Sequence, residues 1–251
     1  MLTLGRINRW LFSRGQMVTL PGGAHLFVPS DDHFFGFVLG RHEQHIADVL
    51  LAAVKPGDTC MDVGANIGYF TAIMARLAGK SGKVFSFEPV PETFVVLKRN
   101  SEIAAAEGAS VTAINAAVTE RSGPIRIVRR EHSTYHQVEP SPGPTGAEMI
   151  PGVCLDEELA RMGIDGSISF LKIDVEGHEL PVLRGLQRSV RERRIARLVV
   201  EVTPGPGAVE INDILSSLPS RTKCWLRGEW RPEKITALAE RTDVYVEFMS
   251  S

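Results

Sequence analysis

The sequence predicts one large α/β domain with a mostly parallel sheet and helices on both faces. Short apolar runs alternate with amphipathic stretches between residues 41 and 202, which is the rhythm of strands and crossover helices. A glycine-rich turn follows the first of these strand-like runs. The chain has 251 residues, which is enough to bury a sizeable core within a single domain.

An N-terminal extension precedes the alternating region. Residues 17–28 alternate around a Pro-Gly-Gly turn at residues 21–23, which predicts a β-hairpin. Residues 41–54 place apolar side chains at helical spacing, and a Pro-Gly pair ends that helix. We therefore divide the chain into an extension, residues 1–40, which we expect to cover the substrate pocket, and a main domain, residues 41–251.

The main domain reads as alternating strands and helices. Strands are predicted at residues 59–63, 83–87, 111–118, 125–129, 168–173, 198–202, 224–226 and 244–248. Helices are predicted at residues 69–78, 91–106, 155–162, 180–190 and 209–218. Residues 139–152 are rich in Pro and Gly and predict a surface loop, which we expect to help cover the pocket.

Composition narrows the classes of function. Lys and Arg number 28 against 30 Asp and Glu, a formal net charge of −2, which lacks the basic excess of a nucleic-acid binder. No apolar stretch approaches transmembrane length. Cys60, Cys154 and Cys224 lie far apart without C-x-x-C spacing, so we expect buried, reduced thiols in a cytoplasmic protein rather than a disulfide framework or a zinc site.

The segment Asp-Val-Gly-Ala-Asn-Ile-Gly, residues 62–68, lies between a predicted strand and a predicted helix. Gly64 lets the chain turn where a side chain would clash, and Gly68 allows close packing where the helix begins. The free N–H groups of the helix start favour a negative group, whereas Asp62 attracts an amine or a cation. The spacing also departs from the G-x-G-x-x-G of dinucleotide sites. The turn therefore suits a ligand that carries both an ammonium and a carboxylate, such as an amino acid.

Glu88 closes the next strand, at the interval after the glycine turn where an acidic side chain accepts hydrogen bonds from ribose hydroxyls. Together with Asp62 and Gly64 it describes a site for a nucleoside that bears an amino-acid tail. S-adenosylmethionine is such a molecule, and we expect it as the cofactor. The alternative is a plain tight turn with a solvated Glu88.

A second group of polar residues, Lys-Ile-Asp-Val-Glu-Gly-His-Glu at residues 172–179, leaves a later predicted strand. Ligands gather at the C-terminal ends of parallel strands, so Asp174, Glu176 and His178 can face the pocket. If the methyl group goes to a protonated acceptor atom, a proton leaves as the new bond forms, and a carboxylate or an imidazole can accept that proton. We expect these three residues to be catalytic.

Other interpretations of this group stay open. Asp174, Glu176 and Glu201 could instead offer hard oxygen ligands to Mg²⁺. Glu176 could merely cap or pair at a helix start, and Lys172 could be a structural partner of Asp174. His178 could be an ordinary surface histidine.

The stretches MDVGANIGYFTAIMA (residues 61–75), FSFEPVPETFVVLKRN (85–100) and FLKIDVEGHELPVLRG (170–185) resemble, in order and spacing, the FkbM family of S-adenosylmethionine-dependent methyltransferases. The resemblance implies a class I methyltransferase, Rossmann-like fold, with a seven-stranded, mostly parallel sheet that contains one antiparallel strand. It also implies S-adenosylmethionine as methyl donor and a small-molecule acceptor, usually a hydroxyl on a sugar, polyketide or other natural product.

The resemblance also implies a cofactor site, residue by residue. Around the methionine part it places Asp62, Gly64, Ala65, Asn66 and Gly68, and it places Glu88 on the ribose. Near adenine it places the end of the third strand, Asn115, Ala116 and Ala117, and it adds Glu43 as a further cofactor candidate.

Two other functions compete with a methyltransferase. The first is a nicotinamide-dependent oxidoreductase on the same strand plan, which Asp62 and the missing middle glycine oppose. The second is a binding module that holds S-adenosylmethionine but catalyses nothing, which the acidic residues after the strand predicted at 168–173 oppose.

Overall fold

The computed structural model describes residues 15–29, 42–128, 137–139 and 148–249. The rest of the predicted extension and residues 140–147 of the predicted loop lie outside these ranges.

The described residues form strands and helices in the predicted alternation. The strands are β1 Gln16–Thr19, β2 His25–Val28, β3 Thr59–Val63, β4 Lys83–Phe87, β5 Ser110–Ile114, β6 Ala117–Val118, β7 Gly123–Val128, β8 Gln137–Glu139, β9 Glu148–Val153, β10 Phe170–Ile173, β11 Arg197–Val202, β12 Ser220–Leu226, β13 Glu229–Arg231 and β14 Thr242–Phe248. The α-helices are α1 Gln44–Ala53, α2 Tyr69–Ala78, α3 Pro91–Glu107, α4 Leu155–Arg161, α5 Glu179–Arg184, α6 Gln187–Arg191 and α7 Pro206–Leu215.

The main sheet has the strand order β13-β12-β14-β11-β10-β3-β4-β5. Strands β11, β10, β3, β4 and β5 are mutually parallel, and β14 is antiparallel to both of its neighbours, β11 and β12. Without the edge strand β13, the sheet has seven strands, of which only β14 is reversed, and this mostly parallel arrangement confirms the predicted fold class. An eighth strand, β13, was not predicted. Arg227 and Gly228 both have positive φ and form the two-residue turn that joins β13 to β12.

Helices cover both faces of the main sheet. On one face α1, α2 and α3 pack with the N-terminal hairpin around a core that includes Leu50, Ile73 and Phe170. On the other face α4, α5, α6 and α7 pack around a core that includes Leu171 and Val200. All residues of α2 from 69 to 75 are buried, because this helix lies between the sheet and the hairpin. None of the described helices is long enough and apolar enough to cross a membrane.

The predicted hairpin is confirmed, since β1 and β2 pair antiparallel around residues 21–23. Asn100 of α3 holds it in place. The Phe27 N–H donates to Asn100 Oδ1 at 2.8 Å, and Asn100 Nδ2 donates to the carbonyls of Phe27 at 2.9 Å and Ile67 at 2.7 Å. One side chain therefore joins the hairpin to the glycine turn. The hairpin packs on α2 and α3. The expected role of residues 1–40 as a pocket cover stays a prediction, because much of this extension lies outside the described ranges.

The prediction of one continuous helix at residues 180–190 is wrong, because the structure has two short helices there, α5 and α6. Gly185 lies at the break, packed so closely that an added Cβ would stand 2.5 Å from the carbonyl oxygen of Thr119. This close approach to a residue far away in sequence is invisible in the local helical pattern.

Two predictions around the second sheet are also wrong. The strand predicted at 111–118 leaves the main sheet after Ile114, and β6 then pairs with β9 in a sheet of order β6-β9-β7-β8. The loop predicted at 139–152 contains strand β9 from residue 148 onward. Pro151 lies opposite Pro124 in the β7–β9 pair, so proline and glycine, which predicted a loop, sit within a paired ladder.

We expect Asn100→Ala to lower the free energy of unfolding by about 1–3 kcal/mol, because it leaves buried backbone groups of Phe27 and Ile67 without their partner. Urea unfolding measures this loss. The control is Lys98→Ala, an exposed position on the same helix, which should stay within about 0.5 kcal/mol of the parent. Equal stabilities of the two variants would show that the Asn100 bridge contributes nothing.

Candidate active site

A cleft opens at the C-terminal ends of the parallel strands β3, β4 and β10. Its empty volume is about 840 Å³, part of which is open to solvent. One wall comes from the glycine turn and α2, with Gly64, Ala65, Asn66, Tyr69 and Phe70. A second comes from the ends of β4 and β5, with Phe87, Glu88, Pro89, Val90, Ala116, Ala117 and Val118. The third comes from β10, the turn after it and the start of α1, with His42, Lys172, Asp174, Val175, Glu176 and His178. This is where a parallel sheet places its ligand.

The glycine turn approaches the neighbouring strand more closely than a side chain allows. Gly64 has a φ of 78°, and a Cβ added there would lie 1.8 Å from the carbonyl oxygen of Asp174. The N–H groups of Gly64 and Ala65 both donate to the carbonyl of Phe87, at 3.0 and 2.9 Å. Gly68 has a φ of 94° and begins α2, but it does not line the cleft. Its role is close packing, since an added Cβ would meet Leu97 at 3.0 Å.

Glu88 is buried at the edge of the cleft, with 6% of its surface exposed. The N–H of Asn66 donates to Oε2 and the N–H of Val90 donates to Oε1, each at 2.9 Å. Both oxygens keep acceptor capacity for hydroxyl groups, because a carboxylate offers about four lone-pair sites. Burial raises the pKa of Glu88 to about 7, against the effect of the two N–H donors. This fixed carboxylate fits a ribose diol.

Asn66 supplies a further acceptor in the cleft. It adopts the left-handed conformation with a φ of 50°, and its Oδ1 is buried without a hydrogen-bond partner in the described structure. A buried carbonyl oxygen without a donor is costly, so the position suits a ligand N–H. An amino-acid ammonium would satisfy it.

Asp62 does not line the cleft, in contrast to the prediction. It sits within β3, wholly buried, and its side chain points towards α2, where the hydroxyl of Thr71 donates to Oδ2 at 2.7 Å. Burial raises the pKa of Asp62 in spite of the opposing charge of Lys172. Oδ1 has no hydrogen-bond partner in the described structure. Strand alternation explains the difference, because residue 62 is still part of the strand and faces the helix that covers it.

Asn115 also lies away from the cleft. Its Nδ2 donates to the carbonyls of Glu88 at 2.8 Å and Pro89 at 3.1 Å, so Asn115 fixes the backbone segment that carries Glu88. Ala116 and Ala117 do line the cleft, where their small side chains leave room for a flat ring. Of the three residues predicted near adenine, two therefore line the cleft and one does not, and their contact with adenine stays a prediction.

Lys172 and Asp174 form an ion pair at 3.0 Å between Nζ and Oδ2, so the structural pairing considered from the sequence is confirmed. Lys172 is 2% exposed and lies 4.8 Å over the ring of Phe70. Burial alone would lower the pKa of Lys172, but Asp174, Asp62 and Glu43 together raise it. Burial alone would raise the pKa of Asp174, but Lys172 lowers it, so Asp174 is ionised.

Glu176 lines the cleft in a left-handed conformation, with a φ of 55°. Arg241 Nη2 lies 2.6 Å from Glu176 Oε2 and also contacts Glu201. A guanidinium therefore occupies the place between these two carboxylates that a cation would take, and no group of three His, Cys, Asp or Glu among the described residues is arranged to hold a metal ion. The geometry opposes the magnesium alternative.

His178 lines the cleft and its Nε2 lies 3.0 Å from Thr119 Oγ1. Burial lowers the pKa of His178, so the ring is neutral at pH 7. The next residue, Glu179, is buried and accepts the N–H groups of Val175 at 3.3 Å and Gly177 at 3.0 Å. Glu179 thereby fixes the turn that presents Glu176 and His178.

Sequence reasoning missed several residues of the cleft, notably His42, Tyr69 and Phe70, and it missed Arg241, which does not line the cleft but pairs with Glu176. Tyr69 and Phe70 directly follow the glycine turn, so their place in the first turn of α2 was available as a signal. His42 lines the cleft and directly precedes Glu43, which does not line it. The distance between His42 Nε2 and Glu43 Oε2 is 3.6 Å. Arg241 had no local signal, because its partners are far away in sequence.

The fold and the cleft define a class I methyltransferase whose donor is S-adenosylmethionine. The residues present fit that cofactor, with Glu88 for the ribose, the glycine turn and Asn66 for the amino-acid tail, and Ala116 and Ala117 for the base. Residues 62–224 match the methyltransferase FkbM domain, and the chain belongs to this family. The family assignment excludes the oxidoreductase alternative.

Similar proteins agree with this assignment. The hexuronic acid methyltransferase AglP of Haloferax volcanii is 29% identical over 73% of this chain and 72% of its own length. The 31-O-demethyl-FK506 methyltransferase FkbM of Streptomyces tacrolimicus is 31% identical over 62% of this chain and 69% of its own length. The crystal structure of an O-methyltransferase from Bacillus cereus in complex with SAH superposes with a TM-score of 0.50 at 11% identity, over 83% of this chain and 82% of that one, and shows the shared fold.

We expect Gly64→Ala to destabilise the fold by far more than the roughly 1–2 kcal/mol that a left-handed alanine costs, because its Cβ collides with the Asp174 carbonyl and pushes β3 from β10. The control is Gly79→Ala, which has a φ of 62° but meets nothing within 4 Å. Urea unfolding compares the two variants. Similar losses would mean that backbone conformation alone, and not close approach, requires Gly64.

We expect Glu88→Gln to weaken binding of S-adenosylhomocysteine about tenfold or more, because hydrogen bonds to a charged group contribute roughly 1.5–3 kcal/mol. The NH₂ group of the glutamine would also replace one carboxylate oxygen, so it would face the N–H of Asn66 or Val90 as donor against donor. Isothermal calorimetry measures the affinity, and Glu102→Gln, an exposed position on α3, is the matched control. A folded Glu88→Gln variant with parental affinity would remove Glu88 from the cofactor site.

Proposed function

We propose that the chain transfers the methyl group of S-adenosylmethionine to a hydroxyl of a small molecule. The observation that carries the proposal is the continuity of the cleft, in which the nucleoside-binding residues around Glu88 open directly onto the polar wall of His42, Asp174, Glu176 and His178. A bound donor and an acceptor would therefore meet in one enclosed space. The named activities of the relatives from Haloferax and Streptomyces support an acceptor of this class.

When bound, the cofactor supplies a methyl group already activated by its sulfonium charge. The chain's contribution is therefore chiefly to align donor and acceptor. The ionised carboxylate of Asp174, fixed by Lys172, can accept a hydrogen bond from the acceptor and orient its oxygen. Its lowered pKa makes Asp174 a weak proton acceptor, so we assign it an orienting role, with Glu176 and His178 as its neighbours at the cleft.

The acidic character of the cleft supports a positively charged donor. Asp174 keeps its charge, and Glu176 and Glu201 share a single arginine. A carboxylate-rich site attracts the sulfonium form more strongly than the neutral thioether left after transfer. Release of the spent cofactor is favoured for the same reason.

We also propose that the protein works in the cytoplasm, without a nucleic-acid partner. Cys60, Cys154 and Cys224 are all buried free thiols, as is usual in a reducing compartment. The formal net charge of −2 supports a small-molecule acceptor over a polyanion. The division into an extension up to residue 40 and a main domain remains part of this proposal.

The proposal predicts transfer of a radiolabelled methyl group from S-adenosylmethionine to a panel of uronic acid glycosides and hydroxylated macrolactones. The methyl ether expected from a hydroxyl survives mild alkali, whereas a methyl ester formed on a carboxylate does not. Glu88→Gln should raise the KM for the donor, and Glu102→Gln should not, which ties the activity to this cleft.

Amines in the same panel distinguish oxygen from nitrogen as the methylated atom. Labelling of amines alone would contradict a hydroxyl acceptor. Tight binding of S-adenosylhomocysteine without turnover of any acceptor would favour the non-catalytic binding module.

A further inference from the structure

We propose that His42 and Glu43 form the proton relay of the transfer, with His42 taking the hydroxyl proton of the acceptor and Glu43 taking a proton from the opposite ring nitrogen. The proposal rests on the proposed methyl transfer to a hydroxyl. It assigns a catalytic role to a histidine that precedes α1, and it changes Glu43 from a cofactor candidate to a proton acceptor.

His42 has the required place in the cleft. It lines the same space as Asp174, and its ring packs edge-on against Tyr69, with 5.5 Å between ring centroids. Phe70 lies beside the ring at 6.2 Å. Two aromatic neighbours therefore fix the plane of the imidazole, and one of its nitrogens, Nε2, faces Glu43.

Glu43 is held in a conformation that only its surroundings can maintain. Its backbone is left-handed, with φ 42° and ψ 54°, and its carbonyl accepts the first N–H groups of α1 from Ile46 and Ala47. Such strained residues concentrate at functional sites. Its Oε2 is buried without a hydrogen-bond partner in the described structure, 3.6 Å from His42 Nε2.

The 3.6 Å separation must close slightly for proton transfer, and catalytic hydrogen bonds are often loose before substrate binds.

The charges around the pair set each group in the protonation state that a relay needs. Burial and then the nearby Lys172 lower the pKa of His42 to about 4, whereas Asp174 and Asp243 act in the opposite direction. The ring is therefore neutral and a weak base on its own, so it must pass a proton to Glu43 as it receives the one from the acceptor. Burial raises the pKa of Glu43 to about 7, and Asp174 and Asp243 add to the increase, whereas Lys172 and His45 oppose it.

Other candidate bases are less suitable. The ion pair with Lys172 lowers the pKa of Asp174 and makes it a weak base, and Glu176 is paired with Arg241. Burial raises the pKa of Tyr69 to about 12, so its phenol stays protonated. His178 is shifted by burial alone, with no carboxylate to stabilise an imidazolium, whereas His42 has Asp174 close by.

The atoms balance without a further reactant. The acceptor oxygen forms a bond to the methyl carbon, the carbon–sulfur bond breaks, and its electron pair stays on sulfur. The hydroxyl proton passes to one nitrogen of His42, and the proton on Nε2 passes to Glu43, which leaves the histidine neutral and the carboxyl protonated.

The relay predicts a rate that rises with pH through about 7, because Glu43 must be ionised to receive the proton while His42 stays neutral. Glu43→Gln should lower kcat about 10²–10⁴-fold and abolish this rise, and Glu43→Asp should retain it. His42→Gln should lower kcat similarly, and calorimetry should show S-adenosylhomocysteine affinity retained in both variants.

The matched control is the remote pair His25 and Glu107, which lie 2.8 Å apart between β2 and the end of α3. His25→Gln and Glu107→Gln should leave kcat and the pH profile unchanged. If Glu43→Gln keeps the parental pH profile, or if it loses affinity for S-adenosylhomocysteine in proportion to activity, the relay is wrong and Glu43 is a cofactor ligand or a structural residue.

A second readout needs no acceptor. In protein labelled with ¹³C at histidine Cε1 and saturated with S-adenosylhomocysteine, the His42 signal, identified by its loss in His42→Gln, should shift as Glu43 titrates near pH 7 and lose that shift in Glu43→Gln. An unchanged signal in Glu43→Gln would overturn the relay. Absence of turnover in the parental enzyme with every acceptor would instead overturn the proposed function.

Discussion

The ammonium of Lys172 is buried within the sheet, and three carboxylates from three elements compensate it: Asp174 after β10, Asp62 in β3 and Glu43 before α1. A buried charge is tolerated only with such partners, and removal of one partner from a buried pair typically costs about 3–5 kcal/mol. One ammonium cannot neutralise three carboxylates. Asp174, which bonds to it directly, keeps its charge, whereas burial raises the pKa of Asp62 and of Glu43. The acid–base character of this region thus follows from burial and from the one carboxylate that bonds directly to the lysine.

The backbone reinforces the same junction. Gly64 lies against the carbonyl of Asp174, and the N–H of Asp174 donates to the carbonyl of Val63 at 3.0 Å. The turn proposed to hold the donor and the residue proposed to face the acceptor therefore share a close backbone contact. Glu88 is fixed to the same turn by the N–H of Asn66. Alignment of two reactants needs this kind of rigidity, because small displacements cost much of the rate.

Local patterns gave the elements around the donor site correctly. The bounds predicted for β3, α2 and β4 agree with the structure residue for residue, because a short apolar run, a glycine turn and an amphipathic stretch are each encoded within a few positions. Errors arose where distant segments meet. The break at Gly185 depends on Thr119, and the strand β9 depends on β7.

In the candidate site, too, local patterns predicted some positions and missed those that depend on contacts with distant segments. Glu88 could be placed in the cleft from its spacing after the glycine turn, because it directly follows the end of β4, and the family resemblance placed Asn66 and Ala116 there. The direction of Asp62 and the inward use of Asn115 depend on packing partners that spacing does not encode. Arg241 is the clearest case, since its effect on Glu176 requires β14 to run back between β11 and β12.

The position of Arg241 in the sequence bears on the charge of the cleft. It lies beyond residues 62–224, the stretch shared with the family, yet it sets the charge at the mouth of the cleft by bridging Glu176 and Glu201. Part of the charge balance around Glu176 is thus encoded outside the stretch that matches the family. A change at Arg241 can therefore alter the charge beside the cleft without altering the residues proposed to hold the donor.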